Sequence, residues 1–151
     1  MRASQTVLII PARLMKAICT HGEEAYPDEG AGLLLGTESS GERQVEAILP
    51  LDNHREAEAR HRRYLLSPRD YLKGEREAER RGLKVLGVFH SHPDHPDQPS
   101  TYDLDWAMPW FSYLITSILN GTAAGSRSWR LTEDRSNFEQ EPVKIFSQAR
   151  S

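Results

Sequence analysis

An apolar run that ends on two histidines restricts this chain more than any other feature. Leu83 to Phe89 (Leu-Lys-Val-Leu-Gly-Val-Phe) leads without a break into His90-Ser91-His92-Pro93. A short apolar run of this kind is the signature of a buried strand. Side chains alternate between the faces of a strand, so His90 and His92 point to the same face with Cα atoms ~6.5–7 Å apart. Two imidazoles at that separation can meet one metal ion. A catalytic zinc takes three protein ligands and a water, and Asp103 is the expected third ligand. A polar loop, Pro93–Pro99, leads to a short helix starting at Ser100. Ser100 and Asp103 lie one turn apart and share a helix face, and that face can turn back toward the strand end. Ser100-Thr101-Tyr102-Asp103 also has the form of a capping box, so the segment has a structural use as well.

The rest of the chain alternates strand and helix patterns. Val7–Ile10 reads as a short buried strand, and Pro11 suits the first turn of a helix. That helix runs from Ala12 to about Glu24, with Leu14, Met15 and Ile18 forming an apolar stripe and Cys19 beside it as a small buried hydrophobe. Pro27 disfavours helical geometry at Tyr26 and ends it. Gly30–Gly36 reads as a strand buried on both faces, Ser39-Ser40-Gly41 as a turn and Gln44–Leu49 as the returning strand. Asn53–Arg63 is a charged connection, followed by a strand at Tyr64-Leu65-Leu66. Ser67-Pro68 opens a helix to about Arg81 whose face of mixed charge is exposed. Further strands are Phe111–Leu119, Ser128–Leu131 and Val143–Phe146. This order predicts a mixed α/β or α+β fold, a single domain over residues 1–151. Trp106, Trp110 and Trp129 are read as core or rim packing, and His95 as an exposed loop residue. Ser91 and Asp105 are candidates for orienting the metal ligands.

Composition narrows the function. A net charge of −3 excludes the strongly basic profile of a dedicated nucleic-acid binder. No apolar run approaches the ~18–20 residues of a membrane span. The single cysteine excludes an intrachain disulfide and a zinc ribbon. These features describe a soluble, cytoplasmic protein with neither nucleic acid nor membrane as partner. His90 to His95 also has the His-x-His-x-Asp-His form of the metallo-β-lactamase fold. Such enzymes need histidine ligands farther along the chain, and none follows His95.

His90-Ser91-His92-Pro93, seven residues from Pro93 to Pro99 and then Ser100-Thr101-Tyr102-Asp103 together resemble the signature of the JAMM (MPN-plus, Mov34/PAD-1) metallopeptidases. Upstream, Tyr26-Pro27-Asp28-Glu29-Gly30-Ala31-Gly32-Leu33-Leu34-Leu35-Gly36 resembles the segment carrying that family's catalytic glutamate, which assigns the role to Glu29. Composition does not separate Glu29 from Glu23, Glu24, Glu38, Glu42 or Glu46; its position at the mouth of a buried strand does favour it. The resemblance runs from about Leu8 to Leu131 and is nearest to compact prokaryotic members. It departs at Gly30-Ala31, where such relatives commonly carry cysteines. It implies the three-layer, cytidine deaminase-like JAMM/MPN fold, with Zn2+ held by His90, His92 and Asp103. It further implies Glu29 as general base and Ser100 as oxyanion stabiliser. The implied substrate is an amide bond after the C-terminal Gly-Gly of a ubiquitin-like or sulfur-carrier protein. The tail would lie in a groove beside the metal by strand addition. The competing expectation is a non-catalytic MPN-type scaffold or protein-binding module.

Overall fold

The computed structural model describes residues 5–51 and 67–147. The expected Asn53–Arg63 connection and Tyr64–Leu66 strand lie outside the described residues. The elements are β1 (Val7–Pro11), α1 (Ala12–Ala25), β2 (Ala31–Ser39), β3 (Glu42–Leu51), α2 (Pro68–Arg80) and β4 (Lys84–Pro93), followed by α3 (Thr101–Trp106), β5 (Ser112–Leu119), β6 (Thr122–Leu131), β7 (Phe138–Glu141) and β8 (Val143–Phe146). The strands form one eight-stranded sheet in the order β7-β6-β5-β4-β2-β3-β1-β8. Pairing is mixed: β4 runs parallel to β5, and β1 parallel to both β3 and β8, while the other pairs are antiparallel.

The sheet is buried on both faces, which gives the expected three layers. On one face, Leu14, Met15 and Ile18 of α1 pack on Leu8, Ile10, Leu34, Val45, Leu86, Phe89 and Leu114, with the half-buried Cys19 against them. On the other, Ala78 of α2 and Leu104 of α3 pack with Leu33, Leu35, Val88, Tyr113 and Leu131. Consecutive Leu33, Leu34 and Leu35 therefore supply both cores, as a strand covered on two sides requires.

Two elements differ from the sequence reading. β6 begins at Thr122 rather than Ser128, because Asn120-Gly121 turns the chain directly back onto β5. Both turn residues have positive φ, 52° and 86°, the conformation two-residue hairpin loops demand. The other difference is β7, absent from the expected order. β7 and β8 are separated only by Pro142, and they pair with opposite ends of the sheet, β6 and β1. One short segment thus laces the two outer edges together. No helix among the described residues is long and apolar enough to cross a membrane.

β4 and β5 approach so closely at Gly87 that a Cβ there would lie 1.9 Å from the Ser112 carbonyl oxygen. Gly87→Ala is expected to destabilise the fold by about 2–3 kcal/mol through overpacking. Urea unfolding would show this as a lower midpoint at unchanged slope.

Candidate metal centre

β4 carries the two histidines, and a bulge decides which way they face. Leu34 pairs with Gly87 but Leu35 with Val85, so Leu86 is an extra residue on β4. Val85 and Val88 consequently pack on the α2 face, and Leu86 and Phe89 on the α1 face. An inserted residue flips every side chain beyond it. With the phase reset, His90 and His92 fall in step with Val88, on the side where α3 lies.

Parallel pairing of β4 with β5 obliges the chain to cross back over the sheet, and the crossover puts the start of α3 above the carboxyl end of β4. Capping fixes that start. The Asp103 N–H donates to Ser100 Oγ at 3.1 Å, and the Ser100 N–H donates to Asp103 Oδ2 at 2.8 Å. The capping box is real, and its carboxylate is also the third corner of the cluster. His90 Nε2 lies 3.5 Å from Asp103 Oδ1, and His92 Nε2 lies 3.2 Å from Asp103 Oδ2. One ligand atom from each residue falls within 4.8 Å of the others.

The Pro93–Pro99 loop exposes most of its side chains, including His95, yet its backbone is pinned along its length. Asp94 N–H donates to the Ile118 carbonyl at 2.7 Å. The Asp94 carboxylate accepts from Tyr26 Oη at 2.6 Å and from Asn120 N–H at 2.8 Å. Ser117 Oγ donates to the His95 carbonyl at 2.6 Å, and Trp129 Nε1 donates to the Asp97 carbonyl at 3.0 Å. His92 contributes the last pin, Nδ1–H to the Pro96 carbonyl at 2.8 Å. A carbonyl can only accept, so this bond fixes the tautomer and leaves the Nε2 lone pair of the neutral ring facing Asp103.

The electrostatics suit a cation. Burial pushes His90 down to about 4, against an opposing pull from Asp103. Burial works to raise Asp103, but His90, the His92 hydrogen bond and the Ser100 N–H outweigh it and hold the carboxyl at about 2. Near neutral pH the cluster is a neutral imidazole beside an ionised carboxylate. His92 Nε2 faces the carboxylate at 3.2 Å, a contact that a proton on that nitrogen or a bound cation satisfies. Two imidazoles and one carboxylate form an ordinary donor set for zinc, with a coordination position left for water.

Glu29 is buried, 6% exposed, at the mouth of β2. Ser91 holds the adjacent backbone: its Oγ accepts from Gly30 N–H at 2.8 Å and its N–H donates to the Gly30 carbonyl at 2.9 Å. Ser91 therefore orients the glutamate segment. Asp105 is exposed, and no contact joins it to the cluster among the described residues. The bare Gly30 makes room for His21, whose ring would lie 3.0 Å from a Cβ there and packs edge-on to Phe89. A cavity of about 790 Å³ opens beside the cluster, lined by Glu29, His92, Ser100, His95 and Tyr102 together with the walls Pro27, Pro93, Pro96 and Pro99.

Residues 11–132 match the family of prokaryotic homologs of the JAB domain. The chain belongs to the prokaryotic JAB family. A relative in Thermus thermophilus, named "Probable TtuB-protein conjugate cleaving protease", is 35% identical over 107 residues, 69% of this chain and 68% of the relative. A desampylase of Pyrococcus furiosus is 31% identical over 130 residues, 86% of this chain and 85% of the relative. A solution structure from Desulfitobacterium hafniense matches with a TM-score of 0.81 at 28% identity, covering 93% and 94% of the two chains. A JAB1/MPN domain protein from Archaeoglobus fulgidus, 19% identical, shares the fold with a TM-score of 0.57 over 97% and 100% of the chains. The JAMM/MPN architecture implied by the sequence is the one this prokaryotic JAB chain has.

The structure brings His90, His92 and Asp103 together and places Glu29 and Ser100 on the same cavity. The loop pins from Tyr26, Ser117, Asn120 and Trp129 have no local signal in the sequence. Trp129 is half-buried and donates to the loop, and Trp106 and Trp110 are 58% and 54% exposed and belong to no core among the described residues. Their side chains flank buried neighbours on an outer connection, a placement that amphipathic indoles tolerate.

The shifted His90 carries a pH signature in chelator-treated protein. Unfolded, its imidazole takes a proton near 6.5; folded, only near 4. Stability is thus complete above about pH 6.5 and falls as pH drops toward 4, by on the order of 3 kcal/mol. Asp103, depressed from 3.8 to about 2, extends the loss below that window. Urea unfolding at several pH values should show this slope, and His90→Asn should flatten its upper part. An equal slope in the variant would assign the effect elsewhere.

Proposed function

We propose that this prokaryotic JAB chain is a zinc-dependent peptidase that hydrolyses the amide bond after the C-terminal Gly-Gly of a ubiquitin-like or sulfur-carrier protein. The observation that carries this reading is the convergence of two imidazoles and a carboxylate beside a cavity onto which Glu29 and Ser100 also open. The names of the Thermus and Pyrococcus relatives, a conjugate-cleaving protease and a desampylase, support the substrate class.

In this reading His90, His92 and Asp103 hold the zinc, which when bound lowers the pKa of a water toward ~7 and polarises a carbonyl. Glu29 accepts the proton of the attacking water and delivers it to the leaving amine, and its burial keeps that carboxylate out of bulk solvent. Ser100 Oγ already accepts the Asp103 N–H. Its hydroxyl hydrogen stays available to donate to the oxyanion. Pro96, through its carbonyl, keeps the His92 ring in the tautomer the task needs. Strand addition onto β4 itself has little room, since β4 is paired with β2 through His90 and with β5 through Pro93. The tail is accordingly assigned to the proline-walled cavity. A scaffold role, the competing expectation, gives no reason to hold a buried carboxylate against two imidazoles.

Glu29→Gln is expected to retain one zinc per chain while losing about 10²–10⁴ in turnover. Asp103→Asn should lose the zinc as well. Metal analysis, with mass spectrometry of Gly-Gly fusion proteins, reads both. Undiminished turnover by Glu29→Gln, or zinc-free protein from zinc-replete buffer, would overturn the proposal.

A further inference from the structure

Among the described residues the large exposed apolar side chains are unevenly distributed. Leu72, Leu119, Ile145 and Phe146 are spread over three elements, whereas Trp106, Met108 and Trp110 fall within five residues, 58%, 36% and 54% exposed. A clustered exposed apolar patch is informative where scattered residues are not. The backbone beneath them is firmly held. Ala107 and Phe111 are buried at 4% and 3% exposure. Met108 N–H donates to Tyr113 Oη at 2.7 Å. Two buried arginines complete the support: Arg130 Nη2 donates to the Pro109 carbonyl at 2.8 Å, and Arg43 Nη2 to the Trp110 carbonyl at 2.9 Å. Guanidinium groups are costly to bury, and these two are used to fix the carbonyls of an outer connection. The indoles are therefore displayed on a preorganised backbone, the arrangement of an interface hot spot.

The patch is continuous with the cavity. Tyr102 lines that cavity, and its ring lies 6.1 Å from the Trp106 ring, centroid to centroid. Asp103 and Trp106 sit one turn apart on α3. An occupant that sends a tail into the cavity must rest its body on an adjoining surface, and among the described residues this is an adjoining apolar one. Resting on the peptidase reading above, we infer that Trp106, Met108 and Trp110 form the docking platform for the folded body of the ubiquitin-like protein whose Gly-Gly tail is cleaved.

Two substrates carrying the same C-terminal fluorogenic amide separate body from tail: a panel of folded ubiquitin-like proteins ending in Gly-Gly, and a short peptide ending in Gly-Gly. Trp106→Ala and the Trp106→Ala/Trp110→Ala double variant should raise KM for the folded substrate, by roughly 30-fold in the double variant, with kcat and peptide cleavage unchanged. The small leaving group excludes an effect through a second protein. Equal cleavage of the folded substrate by wild type and both variants overturns the platform and leaves the peptidase reading standing. An equal loss on peptide and folded substrate in both variants overturns it too, placing the indoles in the support of the site. Wild type that cleaves only the peptide also overturns it, and wild type that cleaves neither overturns the peptidase reading together with the platform.

Discussion

The Asp103 carboxylate accepts the N–H that starts α3 and at the same time faces two imidazoles on β4, and the geometry of the centre follows from that double commitment. α3 has six residues and none of them is fully buried. A helix this short has no stability of its own. Its position is set by the capping box and by the pinned loop before it, so the carboxylate is placed by hydrogen bonds made elsewhere, to Tyr26, Ser117, Asn120 and Trp129. Precise placement of ligands usually depends on such supporting contacts. Here the support reaches from α1 to β6, and a loop rich in proline loses little conformational freedom when it is fixed.

Burial and charge then act in concert. An ionised carboxylate in a nearly dry site costs free energy unless it is paired. Asp103 is 8% exposed at its side chain, with two rings and the Ser100 N–H around it. Burial keeps His90 neutral at the same time, so attraction between charged partners does not satisfy the pair. The cluster sets two imidazoles against one carboxylate in a nearly dry site, an arrangement that a divalent cation stabilises. The buried Glu29 lies nearby with its backbone clasped by Ser91, so a cluster able to hold a cation and a separate carboxylate border one cavity.

How much of this was legible follows from where each determinant lies along the chain. His90, His92 and Asp103 are readable because local rules, strand alternation and a capping spacing, govern them. Which sheet face the histidines take is set by the Leu86 bulge, and nothing in Leu-Lys-Val-Leu-Gly-Val-Phe announces an extra residue. The first half of β6, Thr-Ala-Ala-Gly-Ser-Arg, has weak strand propensity and is extended because β5 pairs with it. Asn120-Gly121 was the local cue to that hairpin. The loop pins join residues up to 68 positions apart, as Tyr26 and Asp94 are, and such pairs have no signature in a single sequence. Indoles fit a core and an exposed surface equally well by composition; the exposure of Trp106 and Trp110 depends on a connection whose course is set by long-range contacts, the packing of Phe111 and Ala107 and the Arg43 and Arg130 hydrogen bonds.

The far end of the sheet shows what the buried charges add. Arg43, Arg130 and Glu141 are all buried. Arg130 donates to Thr6 Oγ1, and Glu141 accepts from Thr6, Ser112 and Ser128. Thr6 precedes β1 and Arg130 is on β6, with four strands between them in the sheet, so this network joins the two edges that Pro142 also bridges. Burial lowers the Arg130 pKa, the neighbouring Arg43 lowers it further, and Glu141 acts against both. Such a cluster is a poor source of stability compared with apolar packing. Its distinct contribution is directional: each guanidinium reaches both the sheet network and a carbonyl of the 109–110 connection. Closure of the sheet and the course of the outer connection are thus fixed by the same two residues, and apolar substitutes of equal volume could fill the space without specifying either.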